Sequence, residues 1–143
     1  MEPPLVSDLM TDDPITLATG DTLAEAHDLM ETHHVRHIPI LDHDGALVGL
    51  LTERDLLRAA GPALGDLPVS ARYQVLSQIP VEDVMVRDPE SVSPDDDLVG
   101  AAQTLLENKF GCLPVLGESQ GVEGILTESD FVRFFAEAGP ETD

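Results

Sequence analysis

The sequence predicts a mixed α/β (α+β) fold built from two β-α-β-β-α units, and three observations carry that expectation. Sliding the chain against itself by 75 residues aligns 6–60 with 81–135 without a gap, and 16 of the 55 pairs are identical. Within each copy the apolar spacing switches between the 3.6-residue period of a helix and short extended runs. With 143 residues, 42% of them apolar, the chain suits one ordinary domain or two small ones sharing a core. The repeat sets the boundaries as a first unit over 1–60, a linker over 61–80 and a second unit over 81–143.

Each copy reads the same way in chain order. Asp13-Pro14 and Asp88-Pro89 open a turn, because proline fixes its own φ and restricts the residue before it. A short extended piece follows, Ile15-Thr16-Leu17 in one copy and Ser91-Val92-Ser93 in the other. A helix start comes next. Thr22-Leu-Ala-Glu25 matches a capping box, and Asp95-Asp96-Asp97 places acids at the positive end of the second copy's helix. Leu23, Ala26 and Met30, then Leu98, Ala101, Ala102, Leu105 and Leu106, form the apolar stripes. Two strands follow in each copy, His37–Leu41 with Leu47–Leu51 and Cys112–Leu116 with Val122–Leu126. Turns at Asp42-His-Asp-Gly45 and Gly117–Gly121 connect them. A second helix begins after Thr52 and Thr127, carrying Leu56 and Leu57 in one copy and Phe131, Val132, Phe134 and Phe135 in the other. In the linker, Tyr73–Ile79 lies between the breakers Pro68 and Pro80 and suits a helical turn or two, with Tyr73 as a packing anchor. A copy of about 55 residues is insecure alone, so the two sheets are expected to pack against each other.

Charge narrows the function classes. Seven basic residues against 28 acidic ones give a net charge of −21. Nucleic acid and anionic bilayers both need clustered lysine and arginine, so neither is an expected partner. Regular apolar spacing argues against disorder, leaving a solvated acidic shell over a folded core, a surface that also suits a salty cytoplasm. No apolar run approaches a membrane span, and the start has no basic n-region, so a cytoplasmic protein is expected. The single cysteine, Cys112, excludes an intramolecular disulfide framework and any Cys-rich zinc module.

The chemistry concentrates in a heptad that occurs twice, Gly49-Leu-Leu-Thr52-Glu-Arg-Asp55 and Gly124-Ile-Leu-Thr127-Glu-Ser-Asp130. An apolar strand ends in a hydroxyl, and the next three residues open a helix whose first-turn amides form an anion site. The aspartate three residues on either caps the helix or accepts two hydroxyl hydrogen bonds from a ribose.

With the Val6-x-Asp-x-Met10 and Val81-x-Asp-x-Met85 segments and the Ile38-Pro-Ile-Leu and Leu113-Pro-Val-Leu strands, these heptads resemble a tandem pair of CBS domains, the Bateman module. The resemblance covers nearly the whole chain. It implies two units packed sheet to sheet with pseudo-twofold symmetry and adenosyl ligands (AMP, ADP, ATP, NAD or S-adenosylmethionine) in the clefts between them. It implies that Asp55 and Asp130 hold ribose hydroxyls, and that Thr52 and Thr127 hold phosphate. Thr16 and Ser91 would approach the base, while the backbone at His37-Ile38 and Cys112-Leu113 would read the adenine edge. Arg54 would meet phosphate in one copy; Ser129 stands there in the other, which makes the sites unequal and leaves Arg133 and Lys109 as the second site's cations. No cofactor is required, and the output would reach an unidentified regulated protein in trans from a homodimer.

Competing readings are weaker. His33, His34, His37 and His43 lie close together, but no spacing among them matches a zinc motif, so no metal is expected. Cys112 in an apolar strand reads as a buried, inert thiol. No nucleophile elbow, Walker loop, Rossmann fingerprint or HExxH is present, so no catalytic residues are assigned. The alternative to a ligand sensor is a structural dimerisation module with degenerate, non-binding clefts.

Overall fold

A buried valine opens each repeat, and its backbone contacts decide the topology. The computed structural model describes residues 4–61, 65, 67–108, 111–119 and 121–138. Its elements are α1 (Val6–Leu9), β1 (Thr11–Asp12), β2 (Leu17–Ala18), α2 (Leu23–His33), β3 (His37–Leu41), β4 (Leu47–Thr52) and α3 (Glu53–Ala60). There follow α4 (Val69–Leu76), a 3-10 turn (Val81–Asp83), β5 (Val86–Arg87), α5 (Leu98–Asn108), β6 (Cys112–Leu116), β7 (Val122–Thr127) and α6 (Glu128–Ala138). The fold is mixed α+β with two sheets.

Packing groups the chain differently from the repeat. Residues 15–89 form one unit, and the opening segment through Pro14 joins the stretch from Glu90 onward to form the other. Each unit therefore takes its hairpin from one repeat and its leading segment from the other. In the first, strands run in the order β2-β3-β4-β5, with β2 parallel to β3 and the rest antiparallel. In the second the order is β1-β7-β6, and Val92 bridges Val115 in parallel where β2 would stand. Registers repeat at the same offset: Val86 faces Leu50 as Thr11 faces Ile125.

Both leading segments dock through the same pair of backbone hydrogen bonds. Val81 N–H donates to the Asp21 carbonyl at 2.7 Å, and Leu23 N–H donates to the Ile79 carbonyl at 2.9 Å. Val6 N–H donates to the Asp96 carbonyl at 3.0 Å, and Leu98 N–H donates to the Pro4 carbonyl at 3.2 Å. Val6 and Val81 are fully buried, each within its own unit's core. Val81 shares its core with Leu23, Ala26, Met30, Ile38, Ile40, Leu51 and Leu56; Val6 shares its core with Leu98, Ala101, Leu105, Leu113, Val115 and Leu126. Burying one such side chain contributes about 1.5–3 kcal/mol.

Local signals hold in part: the extended pieces expected at Ile15–Leu17 and Ser91–Ser93 reduce to β2 and a single bridge at Val92, and the linker helix runs Val69–Leu76 rather than Tyr73–Ile79. Thr22 Oγ1 accepts from Glu25 N–H at 3.4 Å, the hydroxyl half of the expected capping box, and Asp97 accepts from Val99 N–H. Asp13 and Asp88, however, have φ of +49° and +50°, in the left-handed region that a short polar side chain tolerates. Leu106 falls off the stripe of α5 and is 84% exposed, because it lies one residue beyond buried Leu105. Tyr73 is half exposed rather than an anchor; Leu76 is the residue of α4 that enters the core.

The heptad glycines answer to the methionines of the leading segments. A Cβ on Gly49 would overlap Met85 Sδ, and one on Gly124 would stand 2.6 Å from Met10 Sδ and 3.0 Å from the Thr11 carbonyl. Gly124→Ala is expected to cost about 1–3 kcal/mol in urea unfolding, because backbone cannot yield. Gly49→Ala should cost less, and less again in a Met85→Ala background, since only a flexible thioether opposes it.

Cys112 lies inside β6 with 1% exposure. Burial pushes its thiol well above the usual value of 9.0, and the negative charge of Asp130 pushes it further. The folded state therefore holds the proton that the unfolded state loses. This stabilisation is complete below pH 9 and declines as pH rises beyond it, by up to about 1.4 kcal/mol per pH unit. Urea unfolding at pH 8, 9 and 10 should show that decline in the wild type and a shallower one in Cys112→Ala. Native Cys112 should resist alkylation until the protein unfolds.

Candidate functional site

Both heptads fold as the end of a strand followed at once by the first turn of a helix. Thr52 allows this because its extended backbone (φ −103°, ψ 153°) ends the strand while its hydroxyl accepts from Asp55 N–H at 3.1 Å. Glu53 N–H donates to the Arg36 carbonyl at 2.8 Å, and Glu128 N–H donates to the Gly111 carbonyl at 3.4 Å. These bonds tie each helix start to the entry of the neighbouring strand.

Within residues 15–89 the strands gather the candidates at one end of a sheet. His37 opens β3 directly opposite Thr52, which closes β4. Thr16 immediately precedes β2, whose Leu17 pairs with Ile40 of β3. Arg54 is exposed on the first turn of α3, and Asp55 is half-buried beside it. The second unit repeats the plan: Cys112 opposes Thr127, and Ser91 precedes the Val92–Val115 bridge. Ser129 is exposed on the first turn of α6. Ile38 and Leu113 are fully buried, so their side chains belong to the cores and only their backbone can meet a ligand. Lys109 lies outside the described residues.

The two aspartates differ. Asp130 Oδ2 accepts from Thr127 N–H at 2.8 Å and from the Thr127 hydroxyl at 3.3 Å. Its Oδ1 accepts from Arg133 at 3.0 Å and from the Thr11 hydroxyl at 3.3 Å. Asp55 Oδ1 has Arg58 at 3.6 Å, while Asp55 Oδ2 is buried with no hydrogen-bond partner. Thr127 and Asp130 thus show the carboxylate half of a capping box, and Thr52 and Asp55 the hydroxyl half. A buried carboxylate oxygen without a donor costs roughly 1–3 kcal/mol or more, and an incoming hydroxyl would relieve that cost.

Of the residues around these carboxylates, the heptads alone did not mark Thr11. Its signal is the alignment of Thr11 with Val86, a hydroxyl opposite an aliphatic side chain at one repeat position. An open groove of about 470 Å³ lies nearby, lined by Met30, Glu31, His34, Val35, Arg36 and Glu53, and it touches the heptad through Glu53 alone. His33, His34 and His43 are exposed on a helix end and a turn. Among the described residues no three His, Cys, Asp or Glu side chains cluster as a metal site. No helix among them is long and apolar enough to cross a membrane.

Comparison with known proteins agrees with this geometry. The CBS domain family matches the chain twice, over residues 6–61 and 81–137. A homoserine O-acetyltransferase of Methanocorpusculum labreanum is 29% identical over 127 residues, which are 89% of this chain and 23% of that enzyme. This chain thus spans about a quarter of that relative's length. Among solved structures, the CBS domain pair of protein MJ0100 in complex with 5′-methylthioadenosine and S-adenosyl-L-methionine superposes with a TM-score of 0.79. It is 25% identical, over 96% of this chain and all of that one. CBSX2 of Arabidopsis thaliana in complex with AMP gives a TM-score of 0.76 at 28% identity, over 94% of this chain and 97% of that one. Two repeats, two heptads placed alike at strand-to-helix junctions and two family matches identify the chain as a member of the CBS domain family, carrying a tandem CBS pair.

Proposed function

We propose that this CBS pair is a non-catalytic sensor: it binds an adenosyl ligand and passes the binding event to a partner protein in trans. The observation that carries the reading is the buried, unpartnered Oδ2 of Asp55, a carboxylate oxygen suited to a ribose hydroxyl. On this reading Asp55, and by the repeat Asp130, hold the ribose. Thr52 and Thr127 with the helix-start amides hold phosphate, and Arg54 adds a cation that Ser129 does not. Thr16 and Ser91 flank the base, and backbone at His37-Ile38 and Cys112-Leu113 meets the adenine edge. Complexes of similar CBS pairs with AMP and with S-adenosylmethionine support the ligand class. Catalysis is not carried over from relatives of which this chain matches only a fraction.

The ligand test is thermal unfolding with AMP or S-adenosylmethionine. A hundredfold excess over Kd should raise stability by about 2.7 kcal/mol. Asp55→Ala should abolish the shift at that site yet leave the free protein as stable or more stable, because it removes an unpartnered buried oxygen and the exposed Arg58 pair is solvent-screened. An unchanged ligand response would refute the ribose role. Salt separates the ligands. At a net charge of −21, AMP should bind better as ionic strength rises from very low values, and cationic S-adenosylmethionine worse.

We propose further that a second copy of this chain covers the apolar face of α6. Val132, Phe134 and Phe135 are 68%, 41% and 75% exposed there, with phenylalanines where the first repeat has Ala59 and Ala60. Light scattering should give a dimer of about 31 kDa, favoured by salt that screens the like charges. Only monomer at micromolar concentration would refute this assembly.

A further inference from the structure

The repeat places Thr11 and Val86 at one structural position, opposite Ile125 and Leu50, two residues before the threonine that starts each helix. In the unit that contains Thr11, its hydroxyl completes the shell of Asp130, whose side chain is 3% exposed. In the other unit Val86 brings no donor, Asp55 Oδ2 is unpartnered and the side chain of Asp55 is 20% exposed. Threonine and valine are nearly isosteric, so the two positions differ in one hydroxyl and little else.

We infer that this position selects which aspartate accepts a ligand diol. Thr11 donates to Asp130 Oδ1 as a ligand hydroxyl would and, with Arg133 on the same oxygen and Thr127 on Oδ2, leaves that carboxylate the weaker ribose acceptor. Val86 brings no such donor and leaves Asp55 Oδ2 unpartnered, so each chain takes one adenosyl ligand tightly, at Asp55. The inference rests on the reading of Asp55 as a ribose acceptor and adds a specificity-determining residue to it. The Thr11 hydroxyl should stabilise its unit by satisfying a buried charge, and Val86 forgoes that stabilisation in its own.

The test exchanges the hydroxyl in the full chain and reads both AMP calorimetry and the ligand-free melting midpoint. Wild type should show one strong AMP site per chain. Val86→Thr should weaken that site at least about tenfold and raise the ligand-free midpoint by a few degrees. Thr11→Val should lower the midpoint and bring the AMP stoichiometry toward two, while Thr11→Ser, which keeps the hydroxyl, should behave as wild type. Two equal sites in wild type, or midpoints unmoved by both exchanges, overturn the inference. No AMP binding in wild type, with the two midpoints moving in opposite directions, instead overturns the ribose reading and leaves Thr11 as the group that occupies Asp130.

Discussion

The architecture depends on the docking of each leading segment beside the helix start of the other repeat. A buried valine and two backbone hydrogen bonds make that joint, at Val81 with Asp21 and Ile79, and again at Val6 with Asp96 and Pro4. The N–H groups that donate belong to the buried residues Val6, Val81, Leu23 and Leu98 and cannot be left without partners, so the joint is fixed rather than optional. Everything downstream inherits its register. β5 and β1 pair beside these anchors, and Met85 and Met10 lie against Gly49 and Gly124. The two repeated motifs, Val-x-Asp-x-Met and the heptad, are thus halves of one contact contributed by opposite repeats.

The same joint makes chemically unequal sites from nearly equal heptads. Thr, Glu, Asp and the following Arg are identical in the two copies, yet Asp130 has a full set of donors and Asp55 does not. Thr127 and Arg133 supply three of those bonds, and the fourth donor, Thr11, arrives from the exchanged segment, outside the heptad. Stability and binding oppose each other at this position, because a carboxylate satisfied internally has less to gain from a ligand.

Acidic residues do more than coat the surface. Asp21 accepts from Ala18 N–H at 2.8 Å and Asp96 from Ser93 N–H at 2.9 Å, at equivalent positions before α2 and α5. Asp42 accepts from both Asp44 and Ala46 N–H at 2.9 Å, which shapes the hairpin turn that Gly45 completes at φ +86°. Asp8 accepts from Leu5 N–H at the start of α1. Short carboxylates satisfy turn and helix-start amides that the secondary structure leaves open, so part of the excess negative charge is architectural.

The sequence by itself determined the repeat, the helix-strand-strand-helix order within each copy, the capped starts of α2 and α3, and the two heptads, because each is written in local spacing and in residue types with local effects. Cys112 was legible as interior for the same reason. The sequence also showed that Thr11 and Val86 differ, but gave that difference no meaning. Tertiary structure alone decided that the leading segments pair across the repeats, which puts a hydroxyl on Asp130 and none on Asp55. It alone turned Leu106 and Tyr73 outward, and set Asp13 and Asp88 in the left-handed region. The physical reason is common to all of these. Periodicity records which face of an element is apolar, whereas a hydrogen-bond partner 119 positions away along the chain is supplied only when distant strands meet.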